Sequence, residues 1–277
     1  MFGIFRNNSR ERTQKISLNK KSYCIGINDY PGTHNDLRGC VYDARDWSNL
    51  LTKKGYNSDV ITDRGATVRI GKSILNSLVD DSHKYGYEFD SVLTFSGHGT
   101  HLPDLDGDEE NGRDEALCMY DGLIIDDEIR GILKNFNKDA RLWIVADCCH
   151  SGTITRNFLQ TIYDNDLKAK PRYMPPMDDI VAAMNLRQKS YIVRPQEEDM
   201  NEILLTGSLD SEYSWDAFIE GNFQGAMSYH AKRILRNKPS ITFAQLHAEL
   251  RKVLPSRNFP QSPQLEGKEK NKNRKVF

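Results

Sequence analysis

Short apolar runs alternate with helical stripes along this chain, and that alternation leaves few architectures open. Lys20–Asn28 reads as a first strand; Val41, Ala44, Trp47, Leu50 and Leu51 then recur at helical spacing between Cys40 and Lys54. Gly55 supplies a stop before strand-like Asp59-Val60-Ile61. A second stripe, Ile70, Ile74, Leu75, Leu78 and Val79, leads into a strand ending at Phe95. The pattern predicts a further helix from Asp126 or Asp127 through Phe136, strands over 141–146 and 202–207, and helices near 225–236 and 242–253. Such alternation implies an α/β fold with a mostly parallel sheet and helices on both faces.

The 277 residues, 38% of them hydrophobic, suffice for a large core without deciding between one domain and two. A net charge of −1 gives no global field for nucleic acid, and no apolar run approaches the roughly 20 residues needed to cross a bilayer. The expectation is a soluble, membrane-free monomer. Residues 1–19 are polar and basic, with an apolar part too short for a secretory signal, and read as a tail. Residues 268–277 read as a second, basic and solvated tail. Five cysteines, an odd number with two adjacent, suit a reducing compartment, so the cytoplasm is expected.

Two of the strand-like runs end in reactive side chains. Val92-Leu93-Thr94-Phe95 runs into Ser96-Gly97-His98-Gly99, and Leu142-Trp143-Ile144-Val145-Ala146 runs into Asp147-Cys148-Cys149-His150-Ser151-Gly152. A thiol is a useful nucleophile near neutral pH only when a neighbouring group takes its proton, and adjacent strand ends can bring thiol and imidazole together. In sheets of this kind ligands bind beyond the carboxyl ends of the strands. Taken alone, Cys149 reads first as a small buried hydrophobe, since free cysteine is usually buried and inert. Cys148 competes with it as nucleophile, while His150 belongs to the turn itself.

Both boxes resemble the histidine and cysteine boxes of the metacaspases, caspase-fold cysteine peptidases. Leu37-Arg38-Gly39-Cys40-Val41-Tyr42-Asp43-Ala44, the acidic loop Asp106 to Glu115, and Ile125-Asp126-Asp127-Glu128 resemble further family blocks in the right order. So do Leu205-Thr206-Gly207-Ser208, Gly225-Ala226-Met227-Ser228 and Gln261-Ser262-Pro263-Gln264-Leu265, which extends the likeness over about 20–267. The resemblance implies a caspase-like three-layer sandwich around a six-stranded sheet and a cysteine endopeptidase acting on protein or peptide substrates. It makes Cys149 the nucleophile and His98 its acid–base partner, with the amides of Gly99 and Cys149 holding the oxyanion. No orienting carboxylate for His98 is evident.

Charge bears on specificity. Caspases that cut after aspartate have glutamine two residues before the nucleophile, where this chain has Asp147. A carboxylate there attracts a basic residue and repels an acidic one. The resemblance adds Cys40, Asp43 and Ser96 to the same pocket and so implies cleavage after Arg or Lys. The alternative for Asp43 is an acid favoured at a helix start.

Asp104 to Glu115 superficially matches an EF-hand loop, but Glu109 stands where the turn needs glycine, and Pro103 precedes it. The resemblance instead implies calcium at Asp114, Asp126 and Asp127, with Arg156 replacing a further family carboxylate. For Asp126 and Asp127 the alternative is helix N-capping. His98 and His101 form an H-x-x-H pair without the second cluster that zinc requires. No organic cofactor is expected, and no Gly-x-Ser-x-Gly elbow points to an α/β hydrolase.

The stretch 157–200 reads as a long insertion, with Pro171, Pro175, Pro176 and Pro195 among basic residues Lys168, Lys170, Arg172, Arg187, Lys189 and Arg194. An enzyme that cuts after basic residues could cut itself here, or the loop could cap the cleft or be a plain surface excursion. The non-enzymatic alternative for the chain is a silent caspase-fold interaction or signalling module.

Overall fold

The computed structural model of the chain describes residues 18–103, 113–149, 169–175, 197–209 and 211–277. Strand β1 (Lys20–Gly26) leads to helix α1 (Cys40–Lys53) and strand β2 (Asn57–Thr62). Helix α2 (Val68–Tyr85), capped by the Thr67 side chain accepting from the Ile70 amide, precedes β3 (Asp90–Ser96). A small meander follows, β4 (Gly99–Pro103), β5 (Arg113–Met119) and β6 (Gly122–Ile125), before helix α3 (Asp126–Leu133) and β7 (Arg141–Asp147). The remainder comprises β8 (Ala169–Pro171), β9 (Ile203–Thr206), the hairpin β10 (Trp215–Ile219) and β11 (Asn222–Gly225), helices α4 (Ala226–Asn237) and α5 (Phe243–Val253), β12 (Gln264–Glu266) and α6 (Glu269–Lys272).

The central sheet runs β12-β9-β7-β3-β1-β2, parallel except for the antiparallel edge strand β12. Successive side chains of a strand face opposite sides, and the two cores follow from that. Leu93 and Phe95 of β3, with Leu142 of β7, pack under α2 and α3; Val92, Trp143 and Val145 pack under α1, α4 and α5. Burial of each large apolar side chain contributes about 1.5–3 kcal/mol, so the stripes read from the sequence hold both helical layers to the sheet. The expected α/β class, six strands and two helical faces are all present. No helix among the described residues is long and apolar enough to cross a membrane.

Two differences have physical causes. The meander β4–β6 and the small sheet β11-β10-β8 pair outside the parallel sheet, so they leave no trace in the strand–helix alternation of the sequence. The last ten residues, expected as a solvated tail, are exposed at Glu269, Lys270, Asn273, Arg274 and Lys275 but anchored to the core at their end. The Val276 amide donates to the Ile241 carbonyl, Val276 is 2% exposed, and the Phe277 ring meets Trp143 edge-on. Only these two apolar residues end a charged run, and composition averaged over the run hides them. Replacing Val276 and Phe277 together by alanine is expected to lower the unfolding free energy by about 3 kcal/mol, read as a lower urea midpoint. An unchanged midpoint would return the segment to solvent.

Candidate active site

Strands β3 and β7 are neighbours in register, Ser96 opposite Asp147, so the residues that follow them emerge side by side at the carboxyl edge of the sheet. Gly97 is small for a reason: a Cβ there would come 2.7 Å from the Tyr30 hydroxyl. That hydroxyl accepts from the His98 amide at 2.7 Å, and the two rings lie 4.7 Å apart. His98 Nε2 meets the Asn35 carbonyl at 2.5 Å, so a backbone oxygen orients the imidazole where the sequence offers no carboxylate. Its Nδ1 is buried without a hydrogen-bond partner among the described residues. Burial pushes the imidazole pKa down to about 4, only partly offset by the Asn35 carbonyl.

Cys148 and Cys149 part company as alternation requires: Cys148 joins the core under α2, and Cys149 lies beside Tyr213, Trp215 and Ala226. The Cys149 thiol accepts from the Ser214 amide at 2.7 Å and donates to the Ser214 carbonyl at 3.2 Å. Burial pushes it well above the ordinary thiol range, opposed by the Ser214 and Arg172 backbone.

The segment 169–175 lies across both residues as an added strand. Ala169, Lys170 and Pro171 pair antiparallel with Ala217, Asp216 and Trp215, and the Arg172 amide donates to the Ser214 carbonyl at 2.9 Å. The Arg172 carbonyl accepts from the amides of Gly99 (3.0 Å) and Cys149 (3.2 Å) together, and the Met174 amide then donates to the Gly99 carbonyl. Lys170 Nζ donates to the carbonyls of His34 and Asp36, each at 3.0 Å. Main-chain pairing of this kind is how sheets bind extended peptides.

The Arg172 side chain is fully buried. Its Nη2 lies 2.7 Å from Asp43 Oδ2 and 3.1 Å from Asp216 Oδ1, while Nη1 lies 3.3 Å from Asp147 Oδ2. These carboxylates are themselves fixed. Asp43 accepts from the Gly225 amide and from Lys232 Nζ, Asp147 from the Ser228 amide and the Ser214 hydroxyl, and Asp216 from the amides of Arg38 and Gly39. Burial works to lower the guanidinium, but attraction to the carboxylates of Asp147, Asp43 and Asp216 outweighs it and holds the group above its usual range, so it stays charged.

Of the residues expected in this pocket, Asp43 and Asp147 meet the guanidinium directly. Cys40 is fully buried, its thiol raised by burial and lowered by Arg172, and Ser96 is buried in register with Asp147. Asp43 opens α1 as its alternative reading supposed, yet its carboxylate turns inward to Arg172 and Lys232. Sequence reasoning missed Asp216, Lys232 and Ser214. Asp216 carried a usable signal, a lone acid between apolar Trp215 and Ala217 in a short strand-like run.

Asp126 and Asp127 occupy the first turn of α3, but its N-cap is Ile125 with no side-chain cap, so the capping alternative is not realised. Among the described residues no three His, Cys, Asp or Glu side chains cluster to hold a metal, so Asp114, Asp126 and Asp127 alone make no calcium cage. His101 faces the Tyr173 ring. His150, Arg156, most of the acidic loop (104–112) and the rest of the insertion apart from 197–200 lie outside the described residues.

The sequence profile of the caspase domain matches residues 19–273. The chain belongs to the caspase-domain family. It is 29% identical to Metacaspase-1B of Aspergillus niger, covering 94% of this chain and 67% of that one. It is 30% identical to Metacaspase-1 of Saccharomyces cerevisiae, over 89% of this chain and 66% of that one. The chain thus spans about two thirds of the length of these relatives. A crystal structure of a protein from Geobacter sulfurreducens superposes with a TM-score of 0.66 at 22% identity, covering 90% of this chain and 94% of that one; it supports the caspase-like fold alone. Membership in this family identifies a hydrolase of the cysteine peptidase type.

The depressed imidazole has a consequence for stability. Between pH 6.5 and about 4 the unfolded chain binds a proton at His98 that the folded chain refuses, so stability falls as pH drops through this window. The loss is expected to reach about 3 kcal/mol near pH 4 and to be absent from His98→Gln, measured as the difference in urea unfolding between the two proteins. Parallel pH profiles would mean that His98 is not buried as a neutral ring.

Proposed function

We propose that the chain is a cysteine endopeptidase that cuts after Arg or Lys and that its first substrate is its own Arg172–Tyr173 bond. One observation carries this reading: the Arg172 guanidinium lies among three carboxylates while its carbonyl accepts from the amides of Gly99 and Cys149. A basic side chain is thereby anchored with its carbonyl beside the thiol-bearing residue. Pairing of 169–171 with β10 supplies the extended conformation that a peptidase groove requires.

In the proposed reaction the Cys149 thiol first turns away from the Ser214 carbonyl and gives its proton to His98. The Asn35 carbonyl occupies Nε2, which leaves Nδ1 to receive it. The thiolate sulfur attacks the Arg172 carbonyl carbon, and the negative charge gathers on an oxygen that already accepts two amide hydrogens. His98 returns the proton to the Tyr173 nitrogen, the C–N bond breaks, and Arg172 is left as a thioester on Cys149. Water, deprotonated by the same imidazole, releases the Arg172 carboxylate and restores the thiol.

In the resting arrangement both groups are neutral, since burial raises the thiol and lowers the imidazole. The intact chain is then a slow enzyme whose own segment fills the groove. Five free, buried cysteines support a reducing compartment as part of this proposal. The proposed steps run through no metal; among the described residues no three His, Cys, Asp or Glu side chains cluster to hold one.

The wild-type chain is expected to yield a fragment with Tyr173 as its new N-terminus, found by mass spectrometry, and Cys149→Ala or Arg172→Asp to yield none. On fluorogenic reporters, Arg and Lys are expected to exceed Asp by at least about a hundredfold in kcat/KM, since an acid would face Asp43, Asp147 and Asp216. Preferred cleavage after Asp, or the same fragment from Cys149→Ala, would refute the reading.

A further inference from the structure

The groove continues past the proposed cut, and there its chemistry changes from acidic to aromatic. The Tyr173 ring stacks on His101 of β4, with centroids 5.9 Å apart and planes 16° from parallel. On another side it meets Tyr213 at 5.8 Å, with a tilt of 47°. Tyr213 is 5% exposed and is braced edge-on by the buried Trp215, so it forms a fixed wall. The Tyr173 hydroxyl lies 3.5 Å from His101 Nδ1, a distance that adds little to the ring stacking. Backbone geometry fixes how far the ring reaches into this slot: Gly99 bridges Tyr173 in parallel, and the Met174 amide donates to the Gly99 carbonyl at 3.0 Å. The same glycine thus holds the Arg172 carbonyl through its nitrogen and the following chain through its oxygen.

We infer that His101 and Tyr213 form a leaving-group subsite that selects an aromatic residue directly after the basic one, in foreign substrates as in the chain's own Arg172-Tyr173 pair. The inference rests on the proposed cut after Arg and adds a second determinant to it. Stacked and tilted ring pairs each add about threefold beyond the area they bury, and an alanine at this position can form neither pair. Stacking demands a flat face and not a charge, so phenylalanine serves as well as tyrosine.

The test is a competition within one tube, using the full-length protein and two peptides copied from 169–175: Ala-Lys-Pro-Arg-Tyr-Met-Pro and the same sequence with Ala in place of Tyr. The product ratio gives the ratio of kcat/KM whatever fraction of the enzyme is active. Wild type is expected to favour the Tyr peptide about tenfold, the combined effect of the two ring pairs. Tyr213→Ala is expected to lower the ratio to about threefold, the share of the His101 pair that remains, and Tyr213→Phe to keep it at about tenfold. Equal use of both peptides, each cut after Arg, would overturn the aromatic subsite and leave the Arg reading standing. Failure to cut either peptide, or any Arg reporter, would overturn the Arg reading and the subsite with it. An undiminished preference in Tyr213→Ala would overturn the assignment of the slot to this ring.

Discussion

A guanidinium buried among Asp43, Asp147 and Asp216 is the interaction on which the rest of this structure depends. A charge taken fully out of water is tolerated only when it is paired and hydrogen-bonded, and Arg172 meets both conditions. The acids come from three separate elements: the start of α1, the end of β7 and the strand β10. The pocket therefore exists only once the parallel sheet has formed and the small sheet has docked against it. Without Arg172, Asp43 would keep Lys232, which also pairs with Asp46, while Asp147 and Asp216 would lose the cation recorded beside them, and removing one partner of such a group typically costs about 3–5 kcal/mol.

That imbalance explains why the pocket binds a cation and not simply a bulky side chain. Backbone amides of Arg38, Gly39, Gly225 and Ser228 also hold these carboxylates in place around the guanidinium. Lys232 neutralises the inner edge of Asp43 and leaves the outer oxygen for the guanidinium. The arrangement at the reacting end follows the same economy of means. One carbonyl orients His98, one residue holds the thiol through both backbone groups, and two amides grip the Arg172 carbonyl.

Much of this was legible in the sequence, and the reason differs from element to element. The stripes of α1, α2, α4 and α5 show because burying one face of a helix writes a period near 3.6 into the residues. His98 and Cys149 show because strand ends flanked by small residues are rare and chemically loaded. Asp43 and Asp147 came from likeness and charge. Asp216 and Lys232 did not show, because their meaning lies in partners 177 and 189 residues away along the chain. Arg172 showed only as one of several basic residues in a proline-bearing insertion. Nothing local distinguishes it from Lys168 or Arg187; the added strand on β10 does. The packed C-terminus was hidden for the opposite reason, two apolar residues behind a charged run.

A crystal structure of the uncut Cys149→Ala chain would show whether the chain presents its own arginine to its own acidic pocket. Arg172 is expected within hydrogen-bond reach of Asp43, Asp147 and Asp216, with its carbonyl between the amides of Gly99 and residue 149. A pocket holding water or another side chain, with residues 169–175 elsewhere, would contradict it.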